Sequence, residues 1–404
     1  MKPEVIKHIN NALDEILSEY KNDHHLIFDN DSERLGVYHR QARKKHKSWN
    51  NRKKCIYRGC TNKSIRRSHS IQKSGSLKVI ARNSTVLAPE FNQKNGKIEL
   101  VGKGLAQASV FPGFCEKHEA LFNSFENNKN IESIETPLLQ IYRSICREIV
   151  RLKHEIKFSE QIIFEYQNFR DKKLKRIMEE KLVTNWMKIN NVKVNKFNVT
   201  EDPLISFFRN RYVDLKNTLE ELENEHLREI EECLEINDEN TEGTLSPLSI
   251  SIDEQIPVAL SGIGSFRVDE GNHSKRVLVV LMVFPNAKRT NIVIHGKSSD
   301  TEYFHGYLSK MKNSFDILNM VEQWMIRFTD HWFLSHDVWD KKKQIEKAII
   351  LKEFMDISKG PAKELNFSIF DDIRRSMIRT WKISGSIEKK EIEILNREQA
   401  KLQL

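Results

Sequence analysis

Long apolar runs are missing from this 404-residue sequence. The longest, Val277 to Phe284, is far below the ~18 residues that a membrane-spanning helix needs, so helical membrane proteins are excluded. The N-terminal stretch MKPEVIKHINNALDEILSEY has neither an apolar signal region nor a small-residue cleavage site. It reads as an amphipathic helix with Pro3 in its first turn and Ile6, Ile9, Leu13, Ile16 and Leu17 on one face. The expectation is a soluble, cytoplasmic protein with no membrane partner. Cysteine is scarce too. Cys55, Cys60, Cys115, Cys146 and Cys233 are too few and too scattered for a disulfide scaffold. No phosphate loop, nucleophile elbow or kinase motif set occurs.

Acid is absent where base is dense. Residues 34–89 hold 16 Lys and Arg and no Asp or Glu, in a chain whose net charge is +9, so the remainder carries −7. Such a window repels itself unless a polyanion neutralises it, which points to nucleic acid. Its candidate contacts are Arg43, Lys44, Lys45, Lys47, Arg52, Lys53, Lys54, Arg58, Arg66, Arg67 and Lys73. Trp49 lies within the densest part and can stack on a base or sugar. The same composition also suits a solvated basic linker.

Glycine is absent from Phe114 to Glu242, where only Pro137 and Pro203 interrupt, and a mostly helical stretch is expected. Leu138, Tyr142, Ile145, Ile149, Leu152 and Ile156 recur at alternating spacings of four and three, a coiled-coil seam. A second apolar run follows Pro203, and KINNVKVNKFNVTED between the two suits a turn. Two long helices in an antiparallel hairpin result, able to carry a homo-oligomer or partner-protein contact. The acidic end of the second helix reads as a solvated face or as a shield for the basic window.

Residues 243–300 are β-branched, apolar and broken by turn residues, which predicts three or four strands. Helices are expected again over Met311 to Phe328 and Ala362 to Trp381, with a charged helical tail over 386–404. The fold class is therefore α+β and predominantly helical. Four segments are expected: an N-terminal helix (1–35), a basic zinc module (36–136), a helical hairpin (137–242) and a small mixed C-terminal domain (243–404). In DHWFLSHDVW, His331 and His336 would lie ~140° apart on a helix and share no face. A second metal site with Asp330 and Asp337 would need an extended loop. Trp332, Phe333 and Trp339 read as packing anchors.

The cysteines that are present fall into a pattern. Cys55-x4-Cys60 fits a short knuckle, with Gly59 available for its tight turn. Cys115-x2-His118 offers a second pair at the start of a helix that continues through Leu121, Phe122 and Phe125. Knuckle, hairpin and helix make a treble clef, and three thiolates with one imidazole close a tetrahedral structural zinc site. The bland alternative is free thiols and a core cysteine. Cys146 and Cys233 read as ordinary core or surface residues.

With these four positions, His69 in RSHSIQKS and Glu119 directly after His118, residues 50–125 resemble the HNH (ββα-metal) nuclease family. The resemblance implies that His69 is the general base activating water and that Glu119 helps hold a catalytic Mg²⁺ or Mn²⁺. Departures are the Cys-His second pair and Glu119 in place of the family's last histidine. The family's middle Asn has three candidates, Asn83, Asn92 and Asn95. His69 also remains open as a hairpin cap, a nucleic-acid contact or the fourth zinc ligand in place of His118. The general layout looks like that of bacterial proteins linked to phage defence. The expected function is a zinc-containing endonuclease in anti-phage defence, acting on DNA or RNA. The alternatives are a non-catalytic zinc module that binds DNA or RNA, and a helical assembly subunit.

Overall fold

The computed structural model describes residues 31–92, 97–123, 135–181, 203–235, 247–271, 273–309, 311–354 and 367–380. It also describes positions 3, 7, 10, 11, 14, 15, 18, 365, 385, 387 and 389–392. The chain divides into two compact units. One combines Met1–Asn50 with Arg151–Glu220; the other combines Asn51–Val150 with Glu221–Leu404.

In chain order, the elements used below begin with helix α1 (Asp31–Trp49), strands β1 (Ser68–His69), β2 (Thr85–Asn92), β3 (Lys97–Gly104) and β4 (Val110–Phe111), and the short helix α2 (Glu116–Glu119). Three helices follow: α3 (Glu135–Lys181), α4 (Pro203–Glu221) and α5 (Leu227–Glu235). Strands β5 (Leu248–Ile252), β6 (Val258–Glu270), β7 (His273–Pro285) and β8 (Thr290–Gly296) come next, then α6 (Ser314–Gln323), β9 (Trp332–Leu334) and α7 (Asp371–Thr380).

The first unit is helical. The aromatic ring of Tyr166 on α3 stacks on Phe208 of α4 at 5.5 Å, and Tyr212 donates to Glu160 at 3.0 Å. Going up α4 from 208 to 212 means going down α3 from 166 to 160, so these helices run antiparallel. The expected connecting turn, with residues 182–202, lies outside the described residues. Basic α1 packs on α3. The ammonium of Lys45 pairs with Glu155 and sits 4.8 Å above the Phe158 ring, and the Ser48 hydroxyl meets His154 Nε2 at 2.6 Å.

The second unit is built on a seven-stranded antiparallel sheet ordered β3-β2-β9-β6-β7-β8-β5. Strand β7 holds the run Val277–Phe284, buried on both faces as a central strand should be. One face packs on a core that includes Trp324, Met325 and Trp332. The other receives α3: Ser144 donates to the Met282 sulfur at 3.1 Å and accepts from Ser261 at 2.8 Å. The four strands β5 to β8 occupy the region where three or four were expected. The sheet is not confined to that region, because the β2–β3 hairpin of the basic segment forms one of its edges.

Two other differences from expectation have local causes. The α3 seam is real in spacing, and Leu138, Tyr142, Ile145, Ile149, Leu152 and Ile156 are all buried. Yet Gln140, Arg143, Ser144, Arg147 and Glu148, on what should be its wet side, are buried as well. Here α3 is a core helix walled by β-sheet, so a two-helix coiled coil does not describe it. Likewise, α7 starts at Asp371, since Glu322 takes the backbone N–H groups of Ile369 and Phe370 before the helix begins. Arg374, wholly buried, then bonds to Glu322, Glu391, Asn319 and Ser368, which fixes α7 and the tail position Glu391 to α6. Residues 393–404 of the expected tail lie outside the described residues.

Candidate metal centre

The knuckle forms because residues 54–63 close on themselves. An antiparallel bridge joins Lys54 to Lys63, the N–H of Cys55 donates to Asn62 O at 2.8 Å, and that of Cys60 donates to Tyr57 O at 3.1 Å. Gly59 turns the chain with φ 73°, a left-handed value that side chains resist. The second pair arrives from a two-strand sheet in which β1 and β4 pair as Ser68↔Phe111 and His69↔Val110. Helix α2 starts directly after Cys115, and Ile56 N–H to Gly113 O at 3.0 Å fastens the knuckle to the segment entering it.

These elements bring Cys55, Cys60, Cys115 and His118 together, with their ligand atoms all within 4.8 Å of one another. The Cys60 and Cys115 sulfurs are 3.9 Å apart, and His118 Nδ1 lies 3.4 Å from the sulfurs of Cys55 and of Cys115. With Zn–S bonds of about 2.3 Å and Zn–N bonds of about 2.0 Å, tetrahedral edges would be about 3.8 Å (S···S) and about 3.5 Å (S···N). The cluster fits that ion. Burial lowers the His118 pKa, helped by Lys117, and so favours the neutral imidazole that can ligate. Burial pushes the Cys55 thiol up to about 11. Tyr57 stacks on the His118 ring at 3.9 Å and fixes its plane. Sequence reasoning passed over Tyr57, although an aromatic inside the knuckle was a visible signal. Cys146 is buried on α3 and Cys233 is half-buried on α5, neither in the cluster.

His69 is not in the cluster either, so the reading that made it a fourth ligand in place of His118 has no geometric support. Its Nδ1 lies 2.9 Å from Ala108 O and 3.3 Å from Ser109 Oγ. A carbonyl partner requires a proton on Nδ1, which leaves Nε2 as the basic nitrogen of the neutral ring. The strand is anchored beyond it: the Ser70 hydroxyl meets His331 Nε2 at 2.6 Å, and Gln140 donates to Ser70 O at 2.6 Å. Glu119 pairs at 2.5 Å with Arg143, whose side chain is fully buried and lies over the Phe122 ring. One oxygen of Glu119 is thus engaged by a buried cation. Glu119 is outside the Cys3His cluster, and no second metal cluster includes it among the described residues. Asn83 is exposed at φ 52°, Asn92 donates to Glu99 at 2.9 Å, and Asn95 lies outside the described residues.

His331 and His336 point to different partners, Ser70 and Thr85, and no metal cluster joins them among the described residues. Trp332, Phe333 and Trp339 are buried packing residues, as read from the sequence.

The predicted nucleic-acid contacts divide between the units. Arg43, Lys44, Lys45, Lys47 and Trp49 belong to α1. There Lys44 lies 3.9 Å from Glu165, Lys45 is paired, and Trp49 packs edge-on against His154 at 5.4 Å. Arg43, Lys44 and Lys47 remain exposed. In the metal-centre unit, Arg52 reaches Ser64 O at 2.7 Å and Lys53 is half-buried. Lys54, Arg58, Arg66, Arg67 and Lys73 are exposed there. No helix of the described residues is long and apolar enough to cross a membrane. Comparison with protein-family models, curated proteins and solved structures finds no match for the chain.

Proposed function

We propose that the segment from Asn51 to Asn123 is a treble-clef module, closed by zinc, that binds nucleic acid. One observation carries the reading: the loops fixed by the Cys3His cluster are the loops that display cations. Arg58 sits inside the knuckle, and Arg66 and Arg67 lie between it and β1. None of these three has an ion-pair partner among the described residues. Phosphate oxygens would supply the missing charge, and neutralising each phosphate releases counterions. The test is metal analysis of the purified full chain, followed by binding of labelled DNA and RNA across a salt series. About one zinc per chain is expected, with binding lost on chelation. Arg66→Ala/Arg67→Ala should lower the log–log salt slope by about 1.4 to 1.8, from ~0.7 to ~0.9 per phosphate contact. Less than half a zinc per chain, or unchanged binding by the chelated protein, would sink the proposal.

His69 favours a second reading, phosphodiester hydrolysis. With Nδ1 committed to Ala108 O, Nε2 is the nitrogen able to take a proton from water. The water oxygen bonds to phosphorus as the bond to the leaving oxygen breaks, and the leaving oxygen takes up a proton. Plasmid DNA and single-stranded RNA incubated with the protein and Mg²⁺ or Mn²⁺ should be cut by wild type and spared by His69→Ala. If both proteins leave both substrates whole while still shifting them on a gel, only the binding reading survives.

A further inference from the structure

The helical turns that follow His69 wall a groove of ≈ 1000 Å³, whose other wall is the β7–β8 connection. Its charged lining is one-sided. Lys78 comes from the first wall, Lys288 and Arg289 from the second, and Asp253 is the one acid. Lys78 and Lys288 are exposed, and neither has an ion-pair partner among the described residues. The connection that carries Lys288 and Arg289 is rigidly built. Asn286 Oδ1 accepts from the N–H groups of Lys288 at 3.0 Å and Arg289 at 2.9 Å, its own N–H donates to Arg289 O at 2.9 Å, and Gln255 donates to its carbonyl at 2.8 Å. Lys288 and Arg289 are thus held on a fixed turn and not on a loose loop. Amide and hydroxyl groups such as Gln72, Ser76 and Asn291 line the rest. Phe284 is buried in the sheet, so the groove offers no ring on which a base could stack.

We propose that this groove is a phosphodiester-strand subsite that extends the nucleic-acid footprint of the metal module, gripping the backbone by charge and amide hydrogen bonds without reading bases. The inference rests on the nucleic-acid reading above, and it adds Lys78, Lys288 and Arg289, which lie outside the cysteine–histidine motif. A strand leaving the loops around His69 meets Lys73, then Lys78, in consecutive helical turns. The groove lies at the upper end of the ≈ 300–1,000 Å³ range of ligand pockets, which leaves room for more than one nucleotide.

The experiment uses the full chain and fluorescein-labelled single-stranded oligonucleotides of 4, 8 and 16 nucleotides, DNA and RNA, titrated at two or more salt concentrations. Lys78→Ala/Lys288→Ala is compared with Arg66→Ala/Arg67→Ala and with wild type. The expected result is affinity that rises with length. For the groove variant, the salt slope should be shallower by about 1.4, two contacts at ~0.7 each for single strands, with at least a tenfold loss at the lower salt. Both lysines are exposed, so unchanged thermal melting is expected and reports intact folding. If the groove variant binds like wild type while the arginine variant loses affinity, the groove proposal falls and the module reading stands. If wild type binds no oligonucleotide, both fall. If a mononucleotide competes as well as the 16-mer, the groove is a small-ligand site and the strand proposal is overturned.

Discussion

His226 is fully buried where α4 gives way to α5, and neither ring nitrogen has a hydrogen-bond partner among the described residues. The ring centroid of His295, on β8, lies 6.1 Å away. Burial, with Lys297 beside it, drives the His226 pKa down from 6.5 to about 4. Burial, with His226 beside it, drives that of His295 to about 3. Both imidazoles stay neutral in the fold and pick up protons once unfolded. Their contribution to stability is therefore present above pH 6.5 and is lost as the pH falls from there toward about 4. Each histidine steepens that fall by up to about 1.4 kcal/mol per pH unit. Urea unfolding of His226→Leu at several pH values should show a shallower acid-side slope than wild type. An identical slope would mean that the pair does not titrate as described. At this scale the sequence was informative about the metal ligands, because sulfur chemistry and spacing suffice to pick out Cys55, Cys60, Cys115 and His118. It was silent about His226 and His295, whose meaning depends on the contact between the turn before α5 and β8.

At the scale of elements, the segment between β4 and α2 is a tight fit. A Cβ added at Gly113 would come within 2.2 Å of the Phe111 ring, which is wholly buried and stacked edge-on against Phe114. Gly113→Ala must shift either that ring or the chain two residues before Cys115. Such overpacking costs about 1–3 kcal/mol. Competition with a zinc-binding dye should show the variant giving up metal sooner than wild type; equal retention would show that the segment adapts. Periodicity made α3 legible as a helix but not its surroundings. The buried polar side chains from Gln140 to Glu148 look in sequence like a solvated stripe, and only the walls supplied by Phe114, Phe122 and the sheet make them core. Strand β9, three residues long, is too short for any alternation to register.

For the whole molecule, the basic window ceases to be one object. Its α1 part finds acids on α3, Glu155 above all, whose carboxyl is held below its usual range by Lys45 against the opposing effect of burial. Its later part is committed to the metal-centre unit. Composition could report the charge of residues 34–89 but not this partition, which follows from a chain that leaves one unit at Asn50 and returns to it at Arg151. The expected outcome is that charge reversal on α1 lowers the melting temperature, whereas Arg58→Ala or Arg66→Ala does not. Calorimetry of the three variants decides this, and a melting temperature unmoved by Lys45→Glu would count against the partition.

The β1–β4 pair has a consequence for how the Cys3His cluster would acquire an ion. Between those strands the chain leaves the metal centre, builds an edge of the large sheet as β2 and β3, and comes back at Val110. The first two ligands are set by a local turn, but the last two are in position only when that excursion is complete. Occupancy of the metal centre is then linked thermodynamically to the sheet, since whatever binds the native state alone raises its stability. Zinc uptake would act as a proofreader of folding, tight for a chain whose sheet has closed and weak for one whose sheet has not.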